Sequence, residues 1–210
     1  MKEEIVSISV ITKGEILRLE GRLAPGGASG VVICHPHPLY GGDMDNGVVM
    51  ALQKAFSGEG FTTLRFNFRG AGDSEGNYDD GQGEVDDLIA ACDFIKSRGV
   101  EHLYGAGYSF GSWILLRSLQ KLLFKGLVLV APPLNMLDFE GLNIPTSTPG
   151  LILVGSRDEF CHKNRLEAWL KENQSASVTI IEGENHFFWK SLPQVFERVK
   201  EEARKWLGKI

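Results

Sequence analysis

Leu103-Tyr104-Gly105-Ala106-Gly107-Tyr108-Ser109-Phe110-Gly111-Ser112-Trp113 is the stretch on which the reading of this chain turns. Its centre, Gly107 to Gly111, has the form G-x-S-x-G. A serine between two glycines suits a sharp strand-to-helix turn, because glycine removes the Cβ atoms that would clash there. Such a turn pushes the hydroxyl outward, where a substrate can meet it, so Ser109 is a candidate nucleophile. The pattern is short and recurs by chance. Its flanks must supply the context: 100–106 reads as an apolar strand, and 113–123 has helical spacing.

The same alternation runs through the chain. Residues 4–20 alternate apolar and polar side chains around Lys13-Gly14, which reads as two strands joined by a tight turn. Residues 30–34 form a short, continuously apolar strand, the kind buried on both faces of a parallel sheet. It runs into His35-Pro36-His37-Pro38-Leu39-Tyr40-Gly41-Gly42, which is irregular. Helices are expected at 48–57, 84–97, 166–172 and 192–206, and further strands at 61–68, 126–131, 150–154 and 177–181. The pattern is that of a three-layer α/β protein. We expect a mostly parallel sheet of about eight strands, antiparallel at its N-terminal end, with helices on both faces. No linker, repeat or low-complexity segment divides 1–210, so one domain is expected. Ligands of such sheets bind beyond the carboxyl ends of the strands. The polar oddities of the chain fall there: His35 to His37, Arg69 to Ser74, Ser109, Asp158 and His186.

Composition narrows the function classes. The chain has 210 residues, 43% hydrophobic and 23% charged, with a formal net charge of −5. That balance argues against nucleic acid or an anionic membrane as the main partner. No apolar run reaches the roughly 18 residues of a membrane span, and the N-terminus has no secretory signal pattern. The three cysteines, Cys34, Cys92 and Cys161, are widely spaced and form no C-x-x-C, so neither a disulfide framework nor a zinc knuckle is signalled. A cytoplasmic protein, monomer or homodimer, is expected. His35-x-His37 has the look of half a metal site but lacks a nearby Asp and His, so no metal is expected. No phosphate loop or dinucleotide fingerprint is present, so no cofactor is expected either.

The order Ser109, Asp158, His186, after the third, fifth and sixth central strands, matches the serine–acid–histidine order of the α/β-hydrolase fold. With the tracts CHPHPLYGGDMDN (34–46) and RFNFRGAGDSEG (65–76), the chain resembles the small, lidless, dienelactone-hydrolase-like bacterial serine hydrolases. The resemblance covers 30–206 and implies a serine hydrolase acting on a small-molecule ester. Thioesterase and acylpeptidase-type chemistry on the same residues are the near alternatives. A non-catalytic binding protein that keeps the fold is the alternative of another class.

Each role has a chemical reason. A serine hydroxyl needs a base within hydrogen-bond reach, and His186 is the candidate, with His102 and His162 less well placed. Asp158 would hold the imidazole in the right tautomer, with Glu159 and Asp138 as substitutes. An oxyanion needs preplaced N–H donors. One is the N–H of Phe110, directly after the serine. The other belongs to the loop after the first central strand, where Pro36 and Pro38 have no N–H, leaving His37, Leu39 or Tyr40. The family's H-G-x pattern, laid on His35-Pro36-His37, points to His37. Segment 132–149 is a minimal lid, too short for a helical cap, so an open site is expected. Tyr40, Leu134 and Met136 are expected to line the substrate pocket, with Leu137, Phe139 and Phe110 nearby. Phe187-Phe188-Trp189 is expected to pack the histidine loop, with a substrate-contacting aromatic as the alternative, and Cys34 and Cys161 to act as small buried hydrophobes.

Overall fold

A computed structural model describes residues 3–12 and 14–208. Lys13, half of the expected tight turn, lies outside the described residues. Strands β1 (Glu4–Thr12) and β2 (Glu15–Ala24) open the chain, followed by β3 (Ser29–Cys34), α1 (Gly47–Gly58) and β4 (Thr62–Phe66). Next come α2 (Gln82–Ser97), β5 (His102–Tyr108), α3 (Phe110–Ser118) and β6 (Leu127–Val130). The chain closes with β7 (Gly150–Gly155), α4 (Lys163–Leu170), β8 (Ala176–Ile181) and α5 (Leu192–Leu207).

All the described strands form one eight-stranded sheet in the order β1-β2-β4-β3-β5-β6-β7-β8. Strand β2 pairs antiparallel with both of its neighbours, β1 and β4, and every later pairing is parallel. Hence β2 alone runs against the rest. From β3 the chain moves outward to β4, then crosses back past β3 to β5. The loops leaving β3 and β5 therefore diverge, and a crevice opens at their carboxyl ends.

The central strands are apolar on both faces because both faces are covered. Along β3, Val32 and Cys34 point into the layer beneath α2 and α3, while Val31 and Ile33 point into the layer beneath α1 and α5. Strand β6 does the same with Leu127 and Leu129 against Val128 and Val130. The helices meet them with matching stripes. Helix α2 buries Val85, Leu88, Cys92 and Ile95 at three- and four-residue steps. Helix α5 buries Val195, Val199, Ala203 and Trp206. Trp206 stacks on Tyr104 of β5 with ring centroids 5.2 Å apart.

Local chemistry sets the helix starts. Asn46 Oδ1 accepts the Val48 N–H at 2.9 Å and caps α1. The Glu84 carboxylate accepts the N–H groups of Gly81, at 2.8 Å, and Asp79, at 2.9 Å, at the head of α2. Helix α3 departs from the sequence expectation of 113–123. It starts as soon as the turn at Ser109 is complete. It ends at Ser118, whose hydroxyl bonds back to the Leu115 carbonyl and whose own carbonyl accepts from Lys121 and Leu122. The chain then turns back to bury Leu122 and Phe124 and leaves Leu123 exposed. Segment 131–149 carries no helix or strand. Among the described residues no helix is long and apolar enough to cross a membrane.

Phe56 joins α1 to the α5 layer. It is fully buried, with its ring 5.1 Å from Phe61 and 6.1 Å from Trp206. Phe56→Ala is expected to cost about 3–5 kcal/mol of stability, read from urea unfolding midpoints at unchanged slope. A loss below about 1 kcal/mol would show that α1 does not pack here as described.

Candidate active site

Ser109 occupies the single residue between β5 and α3. Its backbone sits at φ 53° and ψ −117°, a conformation that side chains rarely adopt. The surroundings impose it. The Ser109 N–H donates to the Val130 carbonyl at 2.8 Å, and its own carbonyl accepts from the Ser112 N–H at 2.9 Å and hydroxyl at 2.6 Å. A Cβ on Gly107 would strike the backbone of Gly111, and one on Gly111 would strike the Cys34 carbonyl of β3. The two glycines are what allow strand, helix and neighbouring strand to approach so closely.

The turn aims Ser109 Oγ at His186 Nε2, 2.9 Å away. On its other side, His186 Nδ1 lies 3.0 Å from both oxygens of Asp158. A carboxylate only accepts, so Nδ1 carries the proton, Nε2 is bare, and the serine hydroxyl donates to it. Asp158 Oδ1 also accepts the N–H groups of Phe160, at 2.8 Å, and Cys161, at 3.1 Å, which fixes the carboxylate. All three side chains are largely buried.

Separate anchors hold the histidine loop. Tyr108, next to the serine, donates its hydroxyl to the His186 carbonyl at 3.0 Å. Phe188 sits at φ 54° and is fully buried in the α1–α5 layer. Glu184 accepts from the Ser191 hydroxyl and the Lys190 and Asn185 N–H groups, and the Ser191 bond first of all holds its carboxyl below the usual range. The substitutes considered for Asp158 fall elsewhere. Glu159 reaches the His186 backbone N–H at 3.4 Å, and Asp138 caps the Glu140 N–H. His162 stands at the N-cap of α4.

In the loop after β3 the three possible N–H donors separate. Leu39 donates to His37 Nδ1 at 3.3 Å and Tyr40 to the His37 carbonyl at 3.1 Å, both within a 3-10 turn. The His37 N–H has no partner within the chain among the described residues. The same holds for the Phe110 N–H, which heads α3. Both residues line one cleft with Ser109 and His186.

His35 has a role that its sequence context did not reveal. It is fully buried, and its Nε2 accepts the Phe68 N–H at 2.9 Å. Its Nδ1–H therefore donates to the Pro36 carbonyl at 2.6 Å. In a trans peptide the carbonyl and the next N–H point opposite ways. Fixing the Pro36 carbonyl thus fixes the direction of the His37 N–H. Both ring nitrogens of His35 are used on backbone groups, which leaves it no lone pair for a metal. Burial lowers its pKa to about 4.

The pocket expectations are corrected in part. Tyr40 and Met136 line the cleft, with Leu137. Leu134 does not: it is buried in the layer beneath α2 and α3, as is Phe139. The chain after β6 must cover the sheet there, and the first large apolar side chain serves that purpose. The Phe187-Phe188-Trp189 cluster also divides. Phe188 packs inward, Phe187 lines the cleft and Trp189 is exposed. The thiols are inert as nucleophiles. Burial, then the Asp158 charge, pushes Cys161 up to about 12, and burial holds Cys34 well above its usual value.

No family model matches the chain. An uncharacterised protein of Rickettsia prowazekii is 35% identical over 186 residues, 81% of this chain and 78% of that protein. An α/β serine hydrolase homologue from Coxiella burnetii superimposes with a TM-score of 0.84 at 32% identity, over 94% of this chain and 96% of its own. A serine hydrolase without a lid from Xanthomonas campestris gives a TM-score of 0.84 at 29% identity, over 98% of this chain and 96% of its own.

His35 gives the fold a defined acid weakness. The folded state resists a proton that the unfolded chain accepts near pH 6.5, so stability is full above that pH and is lost as pH falls towards 4. Relative to His35→Asn, the wild type is expected to lose about 3 kcal/mol between pH 7 and pH 4, measured by urea unfolding across pH. A gap independent of pH would contradict the buried neutral state.

Proposed function

Because this chain belongs to the α/β serine hydrolase family, we propose that it cleaves carboxylic esters through an acyl-enzyme on Ser109. The observation that carries the reading is the continuous hydrogen-bonded line from Ser109 Oγ through His186 to Asp158, set on a strained turn in a cleft that Phe110 and His37 also line.

The steps follow from the protonation states. As Ser109 Oγ attacks the ester carbonyl, its proton passes to His186 Nε2. Asp158 stays ionised, holds the ring in place and stabilises the imidazolium. The carbonyl oxygen becomes an oxyanion facing the N–H groups of Phe110 and His37, each worth about 2.7–4 kcal/mol where such donors have been removed. Those donors are already oriented, the first by the head of α3 and the second by His35, so they reorganise little during reaction. His186 then returns its proton to the departing alkoxide. Water takes the place of the alcohol and gives up a proton to His186 as its oxygen bonds to the acyl carbon. The bond from that carbon to Ser109 Oγ then breaks, His186 returns the proton to Oγ, and the acid is released. Thioesters and activated amides would follow the same path. A binding protein without catalysis would have no use for the aligned serine–histidine pair.

A fluorophosphonate probe is expected to label the wild type and not Ser109→Ala. His186→Ala is expected to lower turnover of p-nitrophenyl acetate by about 10⁴-fold. Equal labelling of Ser109→Ala, or unchanged turnover in His186→Ala, would overturn the reading.

A further inference from the structure

The cleft above Ser109 encloses about 540 Å³. Among the described residues, no Asp, Glu, Lys or Arg side chain lines it. Several of its polar groups are already engaged. Ser109 and His186 hold each other, the Tyr108 hydroxyl is bound to the His186 carbonyl, and Asn46 Oδ1 caps α1. His37 spends Nδ1 on the Leu39 N–H, and burial lowers its pKa, so the ring is neutral near pH 7. A carboxylate or phosphate on a substrate would lose its water here without finding a cation. The Asp158 carboxylate behind His186 would add repulsion. The oxyanion itself uses the N–H pair of Phe110 and His37, and the further donors in the cleft, His37 Nε2 and Asn46 Nδ2, are neutral and carry no charge to balance an anion.

The leaving group must depart beside His186 Nε2, because that nitrogen supplies its proton. That side is walled by rings. Phe160 meets the imidazole edge-on at 4.8 Å, and Phe187 stands perpendicular to it at 5.6 Å. Phe187 in turn lies 5.5 Å from Trp189, with the two planes 34° apart. Trp189 is 78% exposed and Phe187 41% exposed, so a two-ring shelf runs from the histidine out to solvent. Two adjoining exposed rings beside the reactive group offer a flat apolar face to a substrate.

Resting on the Ser109 reading, we propose that the substrates are uncharged esters whose leaving group is an aryl alcohol seated on the Phe187–Trp189 shelf. Aromatic pairing on such a shelf contributes about two- to tenfold in binding for each ring. The cation-free cleft beside His186 discriminates against esters that carry a negative charge into it.

The test compares phenyl acetate with 2-carboxyphenyl acetate, whose carboxylate sits beside the reacting ester inside the cleft, each normalised to its rate with hydroxide. The wild type is expected to favour the neutral ester by about 30-fold in kcat/KM. Trp189→Ala is expected to raise KM for phenyl acetate about fivefold, with a smaller effect on kcat. Phe187→Arg, checked for folding by fluorophosphonate labelling, is expected to invert the preference towards the carboxylated ester. Labelled wild type that cleaves both esters equally, or a Trp189→Ala variant with unchanged KM, would overturn the substrate proposal and leave the Ser109 reading standing. Wild type that takes no label would overturn both.

Discussion

The turn between β5 and α3 has no room for one extra carbon on either side of Ser109. Gly107 lies against the backbone of Gly111, and Gly111 lies against the Cys34 carbonyl. That crowding goes with a serine held at φ 53°, its Oγ on His186 Nε2. Everything catalytic in the proposed mechanism depends on this constraint. It puts Oγ in line with His186, leaves the Phe110 N–H without a helical partner, and brings the end of β3 alongside, so that the loop carrying His37 faces the same crevice. The strain is carried by the parallel sheet, whose central strands are buried on both faces.

A second layer of hydrogen bonds ties the loops around the crevice to one another. His35 joins the loop after β3 to Phe68 in the loop after β4. Asn67 accepts the Met44 N–H at 2.7 Å, a second link between the same two loops. Arg69 is held by the buried carboxylate of Asp87, with bonds to the guanidinium and to the Arg69 N–H at 2.9 Å. Such a pair costs desolvation, and its contribution is to place the backbone. On the far side, Tyr108, Phe188 and Glu184 hold the histidine loop. The site is therefore rigid on both flanks, while segment 131–149 leaves its mouth open.

Much of this was legible in the residues. Continuous apolar runs such as 30–34 and 126–131 read as strands covered on both faces, and the helical stripe of 84–97 was strong enough to place α2. Ser109, Asp158 and His186 were recognisable because each follows a strand, and the structure brings all three within hydrogen-bond reach. What was not legible is long-range. His35 could not be assigned, because its partner, the Phe68 N–H, is remote in sequence and backbone donors leave no mark on composition. Leu134 faces the core where its place in the loop points to the cleft, because an apolar residue in a loop reads the same either way. Helix α3 starts earlier than its periodicity indicates, because the turn at Ser109 uses only one residue. Of the possible second donors, proline chemistry removed two positions, and only the 3-10 turn at Pro38–Tyr40 engages Leu39 and Tyr40.

The central claim is that Ser109 carries the acyl group during turnover. The most direct measurement is mass spectrometry of protein quenched in acid within the first turnover of a p-nitrophenyl ester, followed by peptide mapping. The expected result is one added acyl group on the peptide holding Ser109, gone after the ester is exhausted. Ester consumption with Ser109 unmodified throughout, or an acyl group on another residue, would contradict it.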